Sequence, residues 1–268
     1  MSDVRAAPSA SAQRQGAPAV RLVGLSKEFP GSGLVLDRIT LDMPEGELTS
    51  LIGPSGCGKT TALKIIAGLV PASGGEVLVQ GERVSGPGPD RALVFQEFAL
   101  LPWATVLRNV GFGLELRGVP RKEREEIARV YLERVKLSGS VQKYPHQLSG
   151  GMRQRVGLAR ALAVDANIIL MDEPFASVDE QTRRQFQEDL LHLLAQERKT
   201  VVFITHSIEE AVYVSDQIAI LTRGPARVSK VVRPEIDRGS NYDDIRRDST
   251  YLDCVEEIWV ELRRYLTE

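Results

Sequence analysis

The stretch "LTSLIGPSGCGKTTALKII", Leu48 to Ile66, predicts an apolar strand, a glycine-rich loop and a helix in immediate succession. Within it, "GPSGCGKT", Gly53 to Thr60, matches the phosphate-binding loop pattern, and a preceding strand with a following helix is the context that this pattern requires. Glycines let successive backbone N–H groups converge on phosphate oxygens, and a helix N-terminus adds a favourable potential for an anion. The stretch therefore predicts a nucleotide site.

We expect the whole loop to contact the nucleotide. The Lys59 ammonium would reach the β and γ phosphates, and the Thr60 hydroxyl would hold Mg²⁺. The rest of the predicted cradle is Gly53, Pro54, Ser55, Gly56, Cys57, Gly58 and Thr61. The alternative is a chance glycine turn, which the flanking strand and helix disfavour.

Three polar residues follow two further apolar runs, "NIILM" and "TVVFI", which are typical of parallel strands covered on both faces. In a doubly wound α/β sheet the carboxyl ends of the strands face the ligand crevice. We therefore expect Asp172 to support Mg²⁺, Glu173 to orient and deprotonate the attacking water, and His206 to lie near the γ phosphate. The alternatives are a turn at the strand end for the acids and a hydrogen-bonded structural role for the histidine.

A second glycine pair opens another helix. In "LSGGMRQR", Ser149, Gly150 and Gly151 precede a helical face formed by Met152, Val156, Ala159 and Ala163. Glycine costs roughly 1 kcal/mol in a helix interior relative to alanine, so its use here indicates a need for bare backbone. N–H groups and the helix dipole again point at an anion, which predicts a second phosphate cradle.

The remaining patterns set the organisation of the chain. Residues 1 to 19 are rich in Ala, Ser, Pro and Gln and predict a disordered tail, with a docking arm as the alternative. The runs "RLVGLSKEF" and "LVLDRITLDM" predict two strands joined by a turn at 30–33. Strand signals then give way to helical spacing from about Thr105 to Leu162, so we place an inserted helical subdomain at about 97–162.

The core domain is placed at residues 20–232 and is followed by a helical extension at 233–268. Near the end of the core, Ser207 and Glu210 predict a capping box that opens a helix. In the extension, "YLDCVEEIWVELRRYL" predicts an amphipathic helix that packs on the domain or on a partner. Its expected apolar face is Leu252, Val255, Trp259 and Leu262.

Charge and cysteine content exclude several classes of protein. The 268 residues carry 34 Lys and Arg against 36 Asp and Glu, so no global field favours nucleic acid or an anionic membrane. Two distant cysteines favour neither a disulfide framework nor a zinc site, and a reducing compartment is expected. The apolar runs are well short of the roughly 18 residues of a membrane span, so the chain is not expected to cross a bilayer.

In order and spacing, these motifs resemble those of the ATP-binding cassette (ABC) ATPases from about Val20 to Val232. The resemblance implies an α/β P-loop NTPase core with a mixed, mainly parallel sheet flanked by helices, an N-terminal antiparallel β portion and an inserted helical subdomain. "LSGGM" is similar to the family signature, which lies across a dimer interface and closes over the ATP of the other subunit. ATP and Mg²⁺ are the implied cofactors, and a homodimer is the implied assembly.

Three more residues are assigned by the resemblance alone. Gln96 in "LVFQE" matches the glutamine that links Mg²⁺ and the water to the membrane partner, and Asp179 in "SVDE" matches the acid that communicates across the dimer. Phe29 matches the aromatic that stacks on adenine, with core packing as the alternative. Met152 replaces the usual glutamine of the signature, and "SVDE" replaces "SALD". Neither departure removes a catalytic group.

Two longer stretches resemble the sequences of the subfamily that energises import of nitrate, sulfonates and taurine. They are "VFQEFALLPWATVLRNVGFGLELRGV" and "DEPFASVDEQTR". The resemblance implies a peripheral ATPase on the cytoplasmic face of the cell membrane that works with permease subunits and indirectly with a solute-binding protein. The alternatives are a non-transport ABC ATPase, which usually carries two cassettes or a long insertion, and a nucleotide-dependent sensor, which would lack Glu173. A GTPase is disfavoured because no Asn-Lys-x-Asp pattern occurs.

The apolar segment "FALLPW", Phe98 to Trp103, has two interpretations. Clustered apolar side chains in a loop either fold back into the helical subdomain or form a docking surface for a partner. The family resemblance places the cytoplasmic helix of a permease at this groove. We therefore favour docking.

Overall fold

A computed structural model describes residues 17–176, 178–239 and 241–265, so most of the predicted tail, positions 1–16, lies outside the described residues. The strands are β1 (Val20–Phe29), β2 (Gly33–Met43), β3 (Leu48–Ile52), β4 (Gly74–Val79), β5 (Glu82–Arg83), β6 (Arg91–Val94), β7 (Ile168–Asp172), β8 (Thr200–Ile204), β9 (Gln217–Leu221) and β10 (Val228–Val232). The helices are α1 (Lys59–Ile66), α2 (Val106–Leu116), α3 (Arg121–Arg134), α4 (Gly150–Ala163), α5 (Glu180–Glu197), α6 (Ile208–Val214), α7 (Tyr242–Ile245) and α8 (Ser249–Arg263).

The central sheet has the strand order β10-β9-β3-β8-β7-β6, with β10 antiparallel to β9 and the other pairings parallel. Its inner strands β3, β7, β8 and β9 are mostly apolar and almost fully buried because both faces are covered, whereas the edge strands β6 and β10 are partly exposed. In β7, Ile169 and Met171 enter the core shared with α2 to α6, whereas Ile168 and Leu170 enter the core shared with α1 and the N-terminal sheet. Successive side chains of a strand point to opposite faces, so one short run serves both cores.

The N-terminal sheet is antiparallel, with the order β2-β1-β4-β5. Its first hairpin turns at the predicted place, where Ser32 N–H donates to Phe29 O at 3.2 Å. The mainly parallel central sheet, this antiparallel sheet and the helices confirm the predicted fold class.

Helices α2, α3 and α4 follow β6 and precede β7 in the sequence, and they pack on one another. Thr105 caps α2 by accepting a hydrogen bond from Arg108 N–H at 3.3 Å, as expected for a hydroxyl at an N-cap. The face of α3 that is fully buried is Ala128 and Leu132. This helical insertion is where strand signals vanish in the sequence.

Helix α8 packs against α6, β9 and β10, so the C-terminal helix does lie on the domain. The predicted apolar face is wrong at two positions, because Leu252 is 51% exposed and Trp259 is 43% exposed. The buried face consists of Tyr251, Cys254, Ile258, Glu261 and Leu262. Tyrosine and cysteine bury as readily as aliphatic residues here, and counting them rotates the face by about one residue.

None of the helices in the described ranges has the length and hydropathy that a membrane crossing requires.

Candidate functional site

The phosphate-binding loop leaves β3 and enters α1. Gly58 takes φ of 112° at the start of α1, a conformation that favours glycine. A Cβ on Gly58 would also lie 2.7 Å from Leu36 Cδ2, so β2 closes the space behind the loop. Backbone geometry and packing therefore both require glycine at this position.

Lys59 is buried and points back into the loop. Its Nζ donates to Gly53 O at 2.8 Å and to Pro54 O at 3.1 Å. The first N–H groups of a helix have no partner within it, and those of α1 follow directly after Gly58. The ammonium and these N–H groups are donors of the same short segment, and such a set of donors suits a polyanionic ligand. The neighbouring Cys57 thiol is buried, and burial raises its pKa.

The loop meets the end of β7 through one hydrogen bond. Thr60 Oγ1 donates to Asp172 Oδ1 at 3.0 Å. Burial raises the pKa of the Asp172 carboxyl, and the negative charge of Glu173 adds to this, although the Thr60 bond opposes it. A carboxylate in such surroundings is stabilised by a nearby cation.

Glu173 stands at the strand end in an unusual backbone conformation. Its φ is 46°, which is uncommon for a residue other than glycine, and its N–H donates to Ile204 O at 3.0 Å. Its Oε2 lies 3.4 Å from Gln96 Nε2 and 3.4 Å from His206 Nδ1. The structure thus brings together three side chains that are far apart in the sequence.

The signature stretch forms a second cluster. Ser149 caps α4 by accepting from Met152 N–H at 3.3 Å. A Cβ on Gly151 would lie 3.1 Å from Thr182 Cγ2 and 3.8 Å from Val178 Cγ1. Among the described residues, no hydrogen bond or ion pair joins this cluster to the loop at 53–61.

Asp179 belongs to the signature cluster because it caps α5, the helix that carries Thr182. Its carboxylate accepts from Thr182 N–H at 3.0 Å. This backbone bond is the main reason that the pKa of the Asp179 carboxyl is lowered. The carboxylate is exposed at the surface, next to the signature.

Phe29 ends β1 with its ring partly exposed, and Lys27 Nζ lies 4.8 Å from the ring centroid. The ring is outside both buried cores. An aromatic ring with an accessible face can stack on a planar ligand.

A model of the ABC transporter family matches residues 36–176. An uncharacterized ABC transporter ATP-binding protein of Methanocaldococcus jannaschii is 50% identical over 230 residues, which covers 85% of this chain and 84% of that protein. The chain belongs to the ABC transporter family.

Two further comparisons place this ABC protein among enzymes that hydrolyse ATP. A taurine import ATP-binding protein of Chromobacterium violaceum is 44% identical over 243 residues, which covers 89% of this chain and 93% of that protein. A dimeric ATP-binding cassette in a post-hydrolysis state, bound to ADP and Pi, matches with a TM-score of 0.71 and 32% identity, covering 80% of this chain and 98% of that one. The ABC protein is accordingly an ATPase.

In this ABC ATPase, Thr205, Ser207 and Glu210 form a polar group next to Glu173 and His206 that the sequence patterns did not predict. The predicted capping box is only half formed, because Ser207 Oγ accepts from Glu210 N–H at 3.2 Å but the Glu210 side chain does not return to Ser207. Instead Glu210 Oε2 accepts from Thr205 Oγ1 at 2.5 Å, and Thr205 Oγ1 accepts from Ser207 N–H at 3.0 Å. Burial raises the pKa of the Glu210 carboxyl. Thr205, two residues before the N-cap Ser207, is the sequence feature that could have indicated this other hydrogen bond.

Proposed function

We propose that this ABC ATPase powers the import of a small solute, such as nitrate, a sulfonate or taurine, through a separate membrane permease. The observation that carries the proposal is the similarity to taurine import ATP-binding proteins from three organisms, which are 44 to 48% identical over 83 to 89% of this chain. The ATPase would lie peripherally on the cytoplasmic face of the cell membrane. A solute-binding protein would act on it only indirectly, through the permease.

The geometry of the loop supports the proposed nucleotide roles. Lys59 and the backbone from Gly53 to Thr61 would hold the phosphates, since the buried ammonium lies against the loop backbone and the first N–H groups of α1 follow directly. The accessible ring of Phe29 would stack on the adenine. Leu36 behind Gly58 limits how deep the phosphates can lie.

Mg²⁺ fits the oxygen donors beside the loop. The Thr60 hydroxyl, the Asp172 carboxylate and the Gln96 side-chain oxygen would hold it, and few protein ligands suffice because phosphates and waters complete the shell. The raised pKa of the Asp172 carboxyl supports this assignment, because a cation would compensate its desolvation. When bound, the ion would neutralise charge on the phosphate oxygens.

Glu173 is the proposed general base. Water oxygen would attack the γ phosphorus as the bond to the leaving ADP oxygen breaks, and the water proton would pass to the Glu173 carboxylate. His206 and Gln96 lie 3.4 Å from Glu173 Oε2 and would hold that carboxylate in place. The backbone hydrogen bond of Glu173 to Ile204 fixes the side chain at the mouth of the sheet.

The second cradle would serve a second copy of the chain. Ser149, Gly150 and Gly151 have N–H groups at the start of α4, and no described hydrogen bond ties them to the loop of their own chain. In a homodimer they would contact the ATP held by the partner's loop, with Asp179 beside them. Two ATP molecules would close the dimer, and hydrolysis would reopen it. Differential binding to closed and open forms is what drives such a conformational change.

The importer proposal predicts a partner-dependent ATPase. Purified with its membrane permease and reconstituted in proteoliposomes, the chain should hydrolyse ATP faster when the loaded solute-binding protein is added. The measurement is phosphate release with taurine, an alkanesulfonate or nitrate as the solute. A matched sample without solute is the control. Unchanged turnover with all three solutes, in a complex that hydrolyses ATP, would contradict the assigned substrate class.

The apolar loop before α2 supports the docking interpretation. Trp103 is 72% exposed, whereas Leu100 packs against the core. Asn109 holds the loop, since its Oδ1 accepts from Leu101 N–H at 2.8 Å and its Nδ2 donates to Leu101 O at 3.1 Å. Arg160 donates to Phe98 O at 2.8 Å. A fixed loop that presents an indole to solvent suits a partner surface.

Trp103→Asp should therefore weaken assembly with the permease without unfolding the ATPase. Loss of an interface anchor costs at least about 2 kcal/mol, so we expect affinity for the permease to fall roughly 30-fold. The melting temperature of the isolated subunit should change by less than about 2 °C. Co-purification and a thermal melt are the two measurements.

Leu116→Asp is the matched control, because Leu116 on α2 is 73% exposed and receives the same change in polarity. It should retain assembly. A clear fall in the melting temperature of Trp103→Asp, without a specific loss of assembly, would favour the core-packing interpretation instead.

A further inference from the structure

A small polar cavity lies directly behind the proposed base. It has a volume of about 50 Å³, and its lining includes Glu173, His206, Arg183 and Glu210. The Glu210 side chain is 11% exposed. Arg183 and Glu210 have no place in the reaction described above, although both face its residues.

Glu210 is tied to the loop that carries His206. Its Oε2 accepts from Thr205 Oγ1, and Thr205 Oγ1 also accepts from Ser207 N–H. Ser207 in turn caps α6 through Glu210 N–H. Thr205 is thus bonded to the Glu210 carboxylate, and Ser207 is bonded to the Thr205 hydroxyl and to the Glu210 backbone. A movement of Glu210 would therefore move the imidazole that lies 3.4 Å from Glu173.

Arg183 is tied to the signature cluster. Its Nη2 donates to Val178 O at 2.9 Å, and Val178 and Thr182 are the side chains against which Gly151 packs. Asp179 stands between them and caps the same helix. Arg183 therefore contacts the segment 178–182, against which the start of α4 packs.

The Arg183 guanidinium and the Glu210 carboxylate lie close together without a hydrogen bond between them. Arg183 Nε lies 3.8 Å from Glu210 Oε1, and within the described part of the chain this buried N–H has no hydrogen-bond acceptor. A buried N–H without an acceptor is unfavourable. Movement of about 1 Å or less would form the bond, and the cavity beside both side chains gives them room.

We propose that Arg183 and Glu210 are positioning residues that couple the two ATP sites of the dimer. Contact of Ser149–Gly151 with the partner's ATP would shift Val178, bring Arg183 onto Glu210, and so orient His206 and Glu173 at the chain's own site. The coupling rests on the proposed two-subunit arrangement. It is a continuous set of contacts between two sites, the physical form that such coupling takes.

Glu210→Gln and Arg183→Gln test the pair separately and together. Glutamine at 210 can still accept from Thr205 but carries no charge toward Arg183. We expect kcat to fall about tenfold in each variant while the KM for ATP stays within about twofold. The Hill coefficient for ATP should fall from about 2 to about 1. The double variant should be no slower than either single variant, because the two residues act as one unit.

Glu257→Gln is the matched control, because it also neutralises a carboxylate. Glu257 lies on α8, away from the cavity, and pairs with Lys230 of β10 at 2.7 Å. It should keep the wild-type kcat and Hill coefficient. A purely structural role for Glu210 would lower the melting temperature and leave the Hill coefficient at the wild-type value. That result, or single effects that multiply in the double variant, would overturn the proposal.

The proposed two-subunit arrangement is checked separately by size-exclusion chromatography of Glu173→Gln with ATP. If no dimer forms, the two-subunit arrangement fails and the coupling fails with it. If the dimer forms while Glu210→Gln keeps wild-type cooperativity, only the Arg183–Glu210 coupling fails. Should Glu210→Gln not fold, Arg183→Lys replaces it. Arg183 uses two different nitrogens, Nη2 toward Val178 O and Nε toward Glu210, and lysine replaces this planar fork with one flexible ammonium, so the same losses are expected, and wild-type kinetics would refute the coupling.

Discussion

Glu173→Gln should reduce ATP turnover by roughly 10² to 10⁴, the usual contribution of a general base, while ATP binding is retained. Glutamine has the shape of glutamate but cannot take the proton of the attacking water. Its amide can still occupy the position 3.4 Å from Gln96 and His206, so the loop and the Mg²⁺ donors stay in place. Steady-state phosphate release gives the turnover, and equilibrium binding of a fluorescent ATP analogue gives the affinity.

The same variant should accumulate as an ATP-bound dimer, because closure is retained and the step that reopens it is blocked. Glu209→Gln is the control. Glu209 on α6 pairs with Arg246 at 2.5 Å and is exposed, so turnover should stay at the wild-type level. Near wild-type turnover in Glu173→Gln would remove Glu173 from the role of base and would require another proton acceptor.

The loop and the strand-end acids could be predicted because each depends on local sequence. Gly53 to Thr60 carries its own flanking strand and helix, and the apolar runs before Asp172 and His206 have strand length. Their meeting also follows from a general rule, since the carboxyl ends of parallel strands share one edge of the sheet. Pairing of β7 with β8, which sets Asp172 opposite Ile204, brings the acids and the histidine together as expected.

Features that depend on distant packing could not be predicted in this way. The buried face of α8 is decided by its packing on α6, β9 and β10, and periodicity alone selected Leu252 and Trp259 instead of Tyr251 and Cys254. Arg183 and Glu210 are distant in sequence, and each has an ordinary local explanation. A long-range ion pair leaves no pattern in a single sequence. The capping box was half wrong for a local reason, because Thr205, five residues before Glu210, competes for the Glu210 carboxylate.

Ser149→Arg should abolish hydrolysis, by at least about 10³-fold, without weakening ATP binding to the isolated chain. The bulky side chain would fill the space in front of the N–H groups of α4, and loss of even one such donor commonly costs 10² to 10³ in rate. The loop of the same chain is untouched, because no described hydrogen bond or ion pair joins it to Ser149. Phosphate release and nucleotide binding are again the measurements.

Ser149→Ala separates the loss of the cap from the blocked cradle. Without the hydroxyl that accepts from Met152 N–H, α4 should lose about 1 kcal/mol of stability. The cradle stays open, so hydrolysis should persist. If Ser149→Ala were as inactive as Ser149→Arg, the effect would belong to the cap and the second cradle would lose its support.

Mixing Ser149→Arg with Lys59→Ala tests which chain supplies each half of a site. A two-fold dimer has two equivalent composite sites. In the mixed dimer, one site joins the intact loop of the Ser149→Arg chain to the intact signature of the Lys59→Ala chain, and the other site carries both lesions. Neither variant alone should occlude ATP, whereas the mixture should occlude ATP at the intact site, measured by rapid filtration of radiolabelled nucleotide. If each chain formed its site alone, mixing would restore nothing, and the shared sandwich would have to be abandoned.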